Sequence, residues 1–141
     1  SNHFATAPFE LSNNEWHHFV FVFGDNNNFS YSNIKFYADG NEITATGHNW
    51  GGWTYDAQSY PLTVGKLAPM GNYFKGELDD IAIWQKSLTA EDVVNVMNNG
   101  VNSVTDQLVH YWNFNSGNGI IVEDQIGTNN GTITGASWVA R

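Results

Sequence analysis

Residues 76–84 read GELDDIAIW. Strand alternation sets Leu78, Asp80, Ala82 and Trp84 on one side and Asp79, Ile81 and Ile83 on the other, so two adjacent carboxylates run directly into a β-branched and aromatic stretch. A strand over residues 74–85 is expected, with one face burying a carboxylate or ending at a site. Downstream the period changes. In SLTAEDVVNVMNNG (87–100), Thr89 stands at an N-cap with Asp92 three residues on, Leu88 and Val93 are spaced as a hydrophobic staple, and Gly100 stops the run. That is one short helix.

Further out the chain is strand-like. Residues 15–23, EWHHFVFVF, place Trp16, His18, Val20 and Val22 on one face and His17, Phe19, Phe21 and Phe23 on the other, as in a strand covered on both sides. After a polar loop at 24–33, residues 34–44 (IKFYADGNEIT) alternate and then turn at Asp39, Gly40 and Asn41, which reads as a hairpin. Residues 62–66 form a short strand and residues 108–114 another. Residues 128–139, TNNGTITGASWV, offer an Asn130-Gly131 turn and a last strand or pair. Residues 47–61 keep no period and carry His48, Trp50, Trp53, Tyr55 and Tyr60 among glycines, as in a long aromatic loop. Many short strands with one helix predict an all-β antiparallel sandwich of jelly-roll type.

Composition narrows the function. The 141 residues suffice for one core and predict a single domain. A net charge of −9, with Lys35, Lys66, Lys75, Lys86 and Arg141 as the only Lys and Arg, leaves no basic stripe for phosphates and excludes nucleic acid as a partner. No stretch approaches the roughly 20 apolar residues of a membrane span. Cysteine is absent, which removes disulfides, thiolate catalysis and Cys-type zinc sites. Any export signal is expected to have been removed or to belong to a longer precursor.

Three motif groups resemble the laminin-G-like domains of the concanavalin A-like lectin and glucanase superfamily. NEWHHFVFVF (14–23) with IKFYADGNEI (34–43) is similar to that family's Trp-His-His strand and Tyr-x-Asp-Gly hairpin. LTVGK (62–66) with FKGELDDIAIWQKSLTAEDV (74–93) is similar to its Gly-x-x-Asp-Asp strand and closing helix. VHYWNFNSGNGIIVEDQIGTNNGTITGASWV (109–139) resembles the segment that usually opens such a domain, yet it stands last. The resemblance implies a main body over 1–105 and a C-terminal segment over 106–141. That segment either completes its own sheet as in a circular permutation, begins a following module, or is donated to a neighbouring copy.

The superfamily's glucanases carry two glutamates about 5 Å apart on one strand face. Here Glu77 and Asp79 match the first positions, but Ile81 and Ile83 occupy the next ones, so the pair is broken and a hydrolase is only a minor alternative. His17 and His18 leave opposite faces and cannot chelate one metal together, one being expected to pack and the other to lie at the surface; His3, His48 and His110 receive no role. Family resemblance implies a structural calcium near Asp79 and Asp124, with Asp80 beside them. The competing reading is that Asp79 and Asp124 bind backbone amides and pin strand ends. For sugars, which stack on exposed rings while amides and carboxylates take their hydroxyls, the candidate patch is Trp50, Trp53, Tyr55, Asp56 and Tyr60 with Asn72 and Tyr73; the alternative is that Trp50 and Trp53 form a lid on the core.

The reading that results is a non-catalytic, secreted or cell-surface recognition module that binds a glycan or a surface protein. Its rival is a structural building block of a filament, adhesin or capsid, self-associating through strand donation by the C-terminal segment.

Overall fold

The computed structural model describes residues 5–6, 14–24, 34–44, 46–47, 61–67 and 71–140. They form short, largely antiparallel strands and one α-helix, and the chain falls into two compact units, Ser1–Tyr55 with Trp84–Gln107 and Asp56–Ile83 with Leu108–Arg141.

The first unit is organised by a three-stranded antiparallel sheet of β2 (Phe19–Phe23), β3 (Ile34–Ala38) and β4 (Asn41–Ile43). Ala38 pairs with Asn41, so only Asp39 and Gly40 make the turn, and both have positive φ, 48° and 78°. This is the mirror-image turn whose twist matches that of the strands, and Asp-Gly is among the few dipeptides that adopt it cheaply. A second pair joins β1 (Ala5–Thr6) to β5 (Thr46–Gly47). The helix α1 (Ala90–Asn99) starts as its sequence demands. Thr89 Oγ1 accepts the Asp92 N–H at 3.1 Å, the Asp92 carboxylate accepts the Thr89 N–H at 3.0 Å, and Gly100 ends the helix at φ 82°. Such a cap contributes about 1 kcal/mol.

Val93 is wholly buried and joins Val96, Leu88, Val101 and Val104 in this unit's core, to which the sheet contributes Val22, Tyr37 and Ala38. The indole N–H of Trp84 donates to the Val104 carbonyl at 2.8 Å. One expectation is corrected here. Strand β2 is not covered on both sides: Val22 is buried, whereas Phe19, Phe21 and Phe23 remain exposed. Phe21 meets Phe36, its partner in register, edge-on at 5.3 Å, so this face packs laterally along the sheet.

The second unit contains the hairpin β6 (Lys66–Leu67) and β7 (Asn72–Tyr73), the pair β8 (Ile81–Trp84) and β9 (Leu108–Trp112), and the pair β10 (Ile121–Val122) and β11 (Gly131–Thr132). Two expected strands are shorter than their patterns. Asp80 has φ 48°, which breaks the alternation through residues 74–80 and delays β8 to Ile81; Gly65, at φ 75°, likewise confines the strand expected over 62–66 to Lys66–Leu67. The Asn130-Gly131 turn is also corrected. Gly131 lies within β11 opposite Val122, and Asn130 Oδ1 instead accepts the Asp124 N–H at 3.0 Å. Leu108 and Val122 are this unit's most buried apolar side chains. The first strand of the C-terminal segment, β9, pairs with β8 of its own chain.

Candidate functional site

Of the aromatic patch expected to meet a sugar, Trp50, Trp53, Tyr55, Asp56 and Tyr60 lie outside the described residues. Asn72 and Tyr73 form β7, where Lys66 faces Tyr73 in register and holds its ammonium 5.6 Å from the ring centroid. A hydrogen bond from the Phe74 N–H to the Gly65 carbonyl, 2.8 Å, closes the hairpin. Tyr73 is 68% exposed, so a fixed backbone presents an aromatic side chain to solvent, while the exposed Asn72 projects from the opposite face of the strand.

Asp124 is enclosed by hydrogen-bond donors. Its Oδ1 accepts the backbone N–H groups of Tyr111 (3.1 Å), Ile126 (3.2 Å) and Gly127 (3.0 Å), and its Oδ2 accepts His110 Nδ1 (2.6 Å) and the Asn129 N–H (3.2 Å). The side chain has no exposed surface. Burial would raise its pKa, but the donors from Gly127, Tyr111, His110 and Ile126 outweigh that and hold the carboxyl well below the usual carboxylate range. A calcium ligand must offer lone pairs to the ion, and here they point at N–H groups. Asp124 therefore does not fit as a calcium ligand.

Asp79 and Asp80 are also engaged. Asp79 Oδ1 accepts the Asp80 N–H at 3.0 Å, and Asp80 Oδ1 accepts the Tyr111 hydroxyl at 2.6 Å. Burial first, then this bond and the charge of Asp80, push the Tyr111 phenol up to about 12. Tyr111 thus touches Asp80 through its hydroxyl and Asp124 through its backbone. Among the described residues no three of His, Cys, Asp or Glu are grouped to hold a metal ion.

His110, which no motif singles out, anchors this arrangement. Asn129 Nδ2 contacts its Nε2 at 3.2 Å, so the Nδ1–H tautomer satisfies both neighbours. Its ring stacks on Trp112 at 5.5 Å, and the Trp112 indole N–H donates to the Asn129 carbonyl. The first unit repeats the device. Asp39 Oδ2 lies 2.8 Å from His17 Nδ1 while its Oδ1 accepts the His18 N–H at 2.9 Å, so one carboxylate again holds a histidine ring and the next residue's amide. Both His17 and His18 are half-buried, and His18 Nδ1 is buried without a hydrogen-bond partner among the described residues, which corrects the expectation that one histidine lies at the surface.

A cleft of the second unit was not foreseen. Asn113, Phe114, Asn115, Glu123 and Gln125 line a hollow of about 210 Å³ over the buried Val122, and Phe114 and Asn115 also border a second hollow of about 450 Å³ closed by Trp138. Phe114 adopts φ 50°, a conformation an aromatic residue takes only when its surroundings impose it, and the Asn115 N–H donates to Asn113 Oδ1 at 3.2 Å across it. Nothing in the alternation of residues 108–114 signals that reversal.

The family model Laminin_G_3, described as the concanavalin A-like lectin/glucanases superfamily, matches residues 1–94. The chain belongs to that superfamily. With membership comes the fold class, an antiparallel β-sandwich with one helix. No curated protein and no solved structure gave a match. Laminin-G-like domains are carbohydrate- or protein-binding modules and are generally non-catalytic. The match ends before β9, so His110, Asp124 and the cleft lie beyond it. Within the match, Glu77 is exposed and precedes β8. No helix among the described residues is long and apolar enough to cross a membrane.

Proposed function

We propose that this laminin-G-like chain is a non-catalytic extracellular recognition module that binds glycans. The observation that carries the reading is the β6–β7 hairpin, which presents the exposed Tyr73 side chain on hydrogen-bonded backbone. A pyranose needs such a flat apolar surface for its C–H face. Trp50, Trp53, Tyr55, Asp56 and Tyr60 are proposed as further saccharide contacts. The two clamped histidines are tied to carboxylates through Nδ1, and Glu77 has no partner glutamate on a strand, which supports recognition over hydrolysis.

The alternative, assembly by strand donation, finds less support because β9 is already paired with β8 of its own chain. The test is a glycan array with the wild type, Tyr73→Ala and Trp53→Ala. We expect saccharide binding that each substitution weakens about tenfold, with light scattering reporting a monomer. Absence of saccharide binding together with a concentration-dependent oligomer would instead establish the structural role.

A further inference from the structure

We infer that the cleft around Phe114 is a second saccharide site, selective for neutral over acidic sugars, built entirely from the C-terminal segment beyond the superfamily match. It shares its ligand class with the proposed function and rests on that reading, but it shares none of its residues.

Three properties carry the inference. The first is a preorganised aromatic surface. Trp138 is half-buried, its indole N–H donates to the Gly119 carbonyl at 2.7 Å, and the Phe114 ring lies 6.3 Å away at 61°, so both planes are fixed before a ligand arrives. Rigid rings bind with little loss of side-chain freedom, and their faces suit the C–H face of a pyranose. Their mutual tilt gives two non-parallel platforms.

The second property is the polar rim. Asn113, Asn115 and Gln125 contribute carboxamides and Glu123 a carboxylate, which together both donate to and accept from hydroxyl groups. The walls do not need to form on binding. Gln125 is tethered by its backbone N–H to the Tyr111 carbonyl at 2.7 Å and by its side-chain amide to the Glu123 carbonyl at 3.2 Å, and Val122 pairs with Gly131 beneath them. The left-handed Phe114 is what turns its ring toward both hollows, and conformational strain of this kind is found where a ligand surface is being shaped.

The third property is charge. Among the described residues no Lys, Arg or His lines either hollow, and Glu123 stands in the wall of the smaller one. A uronate, sialic acid, sulfated sugar or phosphate there would meet that carboxylate in a chain of net charge −9. The larger hollow, about 450 Å³, falls in the lower part of the roughly 300–1,000 Å³ range of small-ligand sites, and the smaller, about 210 Å³, lies below it.

The test titrates the full chain with cellotetraose, xylotetraose and maltotetraose, with tetragalacturonate as the acidic counterpart and a neutral proline-rich decapeptide as the peptide counterpart. Binding is followed by calorimetry and by amide NMR. We expect at least one neutral tetrasaccharide to shift the side-chain amide signals of Asn115 and Gln125. Trp138→Ala should weaken that binding at least tenfold and Tyr73→Ala less than twofold. Should Trp138→Ala unfold, Asn115→Ala and Gln125→Ala report on the same rim. Binding lost in Tyr73→Ala but kept in the cleft variants overturns this site and leaves the hairpin reading standing. Preference for tetragalacturonate, or the peptide shifting the cleft amides in place of the sugars, also overturns it. If no saccharide binds, both readings fall.

Discussion

Two histidine–carboxylate clamps, one in each unit, use the same geometry under different burial. In the first unit Asp39 grips the His17 ring and the His18 amide, and 42% of its side chain remains exposed; in the second, Asp124 grips the His110 ring and the Tyr111 amide with none of its side chain exposed. The extra burial is matched by extra donors, since Asp124 also collects the amides of Ile126, Gly127 and Asn129. A buried carboxylate is tolerated only when its lone pairs are filled, while a surface one can leave some to water. The difference shows how one motif can decorate a hairpin in one place and organise a whole loop in another.

The sharpest way to break this comparison is to remove both carboxylates in turn. Asp124→Ala strands the amides of Tyr111, Ile126, Gly127 and Asn129, each at about 1–3 kcal/mol where water cannot replace the bond. The sum is on the order of several kcal/mol, a large share of the roughly 5–15 kcal/mol that holds a domain folded. Asp39→Ala exposes its donors to solvent and is expected to cost about 1–2 kcal/mol. Urea unfolding midpoints measure both, and equal losses would show that burial does not separate the two clamps.

Much of this was legible from sequence, and where it was not there are physical reasons. Local signals read correctly: the Asp39-Gly40 turn and the Thr89–Asp92 capping box are each decided by a few neighbouring residues, with little for tertiary context to override. Periodicity over residues 74–85 failed because the left-handed Asp80 reverses the chain direction that alternation presumes, and a single positive φ leaves no trace in a hydrophobic pattern. Asp124 was visible as a notable carboxylate, and pinning of backbone amides was already the competing reading. His110 was overlooked because its partner lies 14 residues away, a spacing with no helix or strand period. The cleft depends on the same kind of invisible event at Phe114. Asn72 and Tyr73 are exposed as the binding proposal requires, while Trp50, Trp53, Tyr55, Asp56 and Tyr60 lie outside the described residues.

Glycine substitutions sharpen the contrast at the next level of effect. A Cβ on Gly127 would sit 2.7 Å from both Asp124 Oδ2 and His110 Nδ1, so Gly127→Ala must push the clamp apart, at about 1–3 kcal/mol. Beside the other clamp, Gly40 has φ 78° and its added Cβ would meet the flexible end of Met97 at 3.2 Å and Val94 Cγ2 in ordinary contact at 3.5 Å, so Gly40→Ala is expected to cost about 1–2 kcal/mol chiefly through backbone conformation. Asparagine tells the two causes apart. Gly40→Asn should recover most of the loss, since Asn tolerates the left-handed region, and Gly127→Asn should be worse than Gly127→Ala. Thermal unfolding of the four variants checks this, and rescue by Asn at both positions would remove the steric account of Gly127.

The smallest effect lies in the pH dependence. Hydrogen bonds from His17 and the His18 amide lower the Asp39 pKa, and the donors from Gly127, Tyr111, His110 and Ile126 lower that of Asp124 further despite its burial. A carboxyl whose folded pKa is depressed stabilises the fold above its unfolded value of about 3.9, and that stability is lost as pH falls through the folded value. Both clamps should therefore weaken only below about pH 4, with Asp124 continuing to lose stability at more acidic pH than Asp39. His18 titrates earlier. Burial lowers its pKa, against the opposing charge of Asp39, so the unfolded chain takes up its proton first and stability declines as pH drops below about 6.5. Urea midpoints should fall slightly between pH 7 and pH 5 and steeply below pH 4. His18→Gln should flatten the first branch alone and Asp124→Asn the second. A first branch that survives His18→Gln would assign it to a group other than His18.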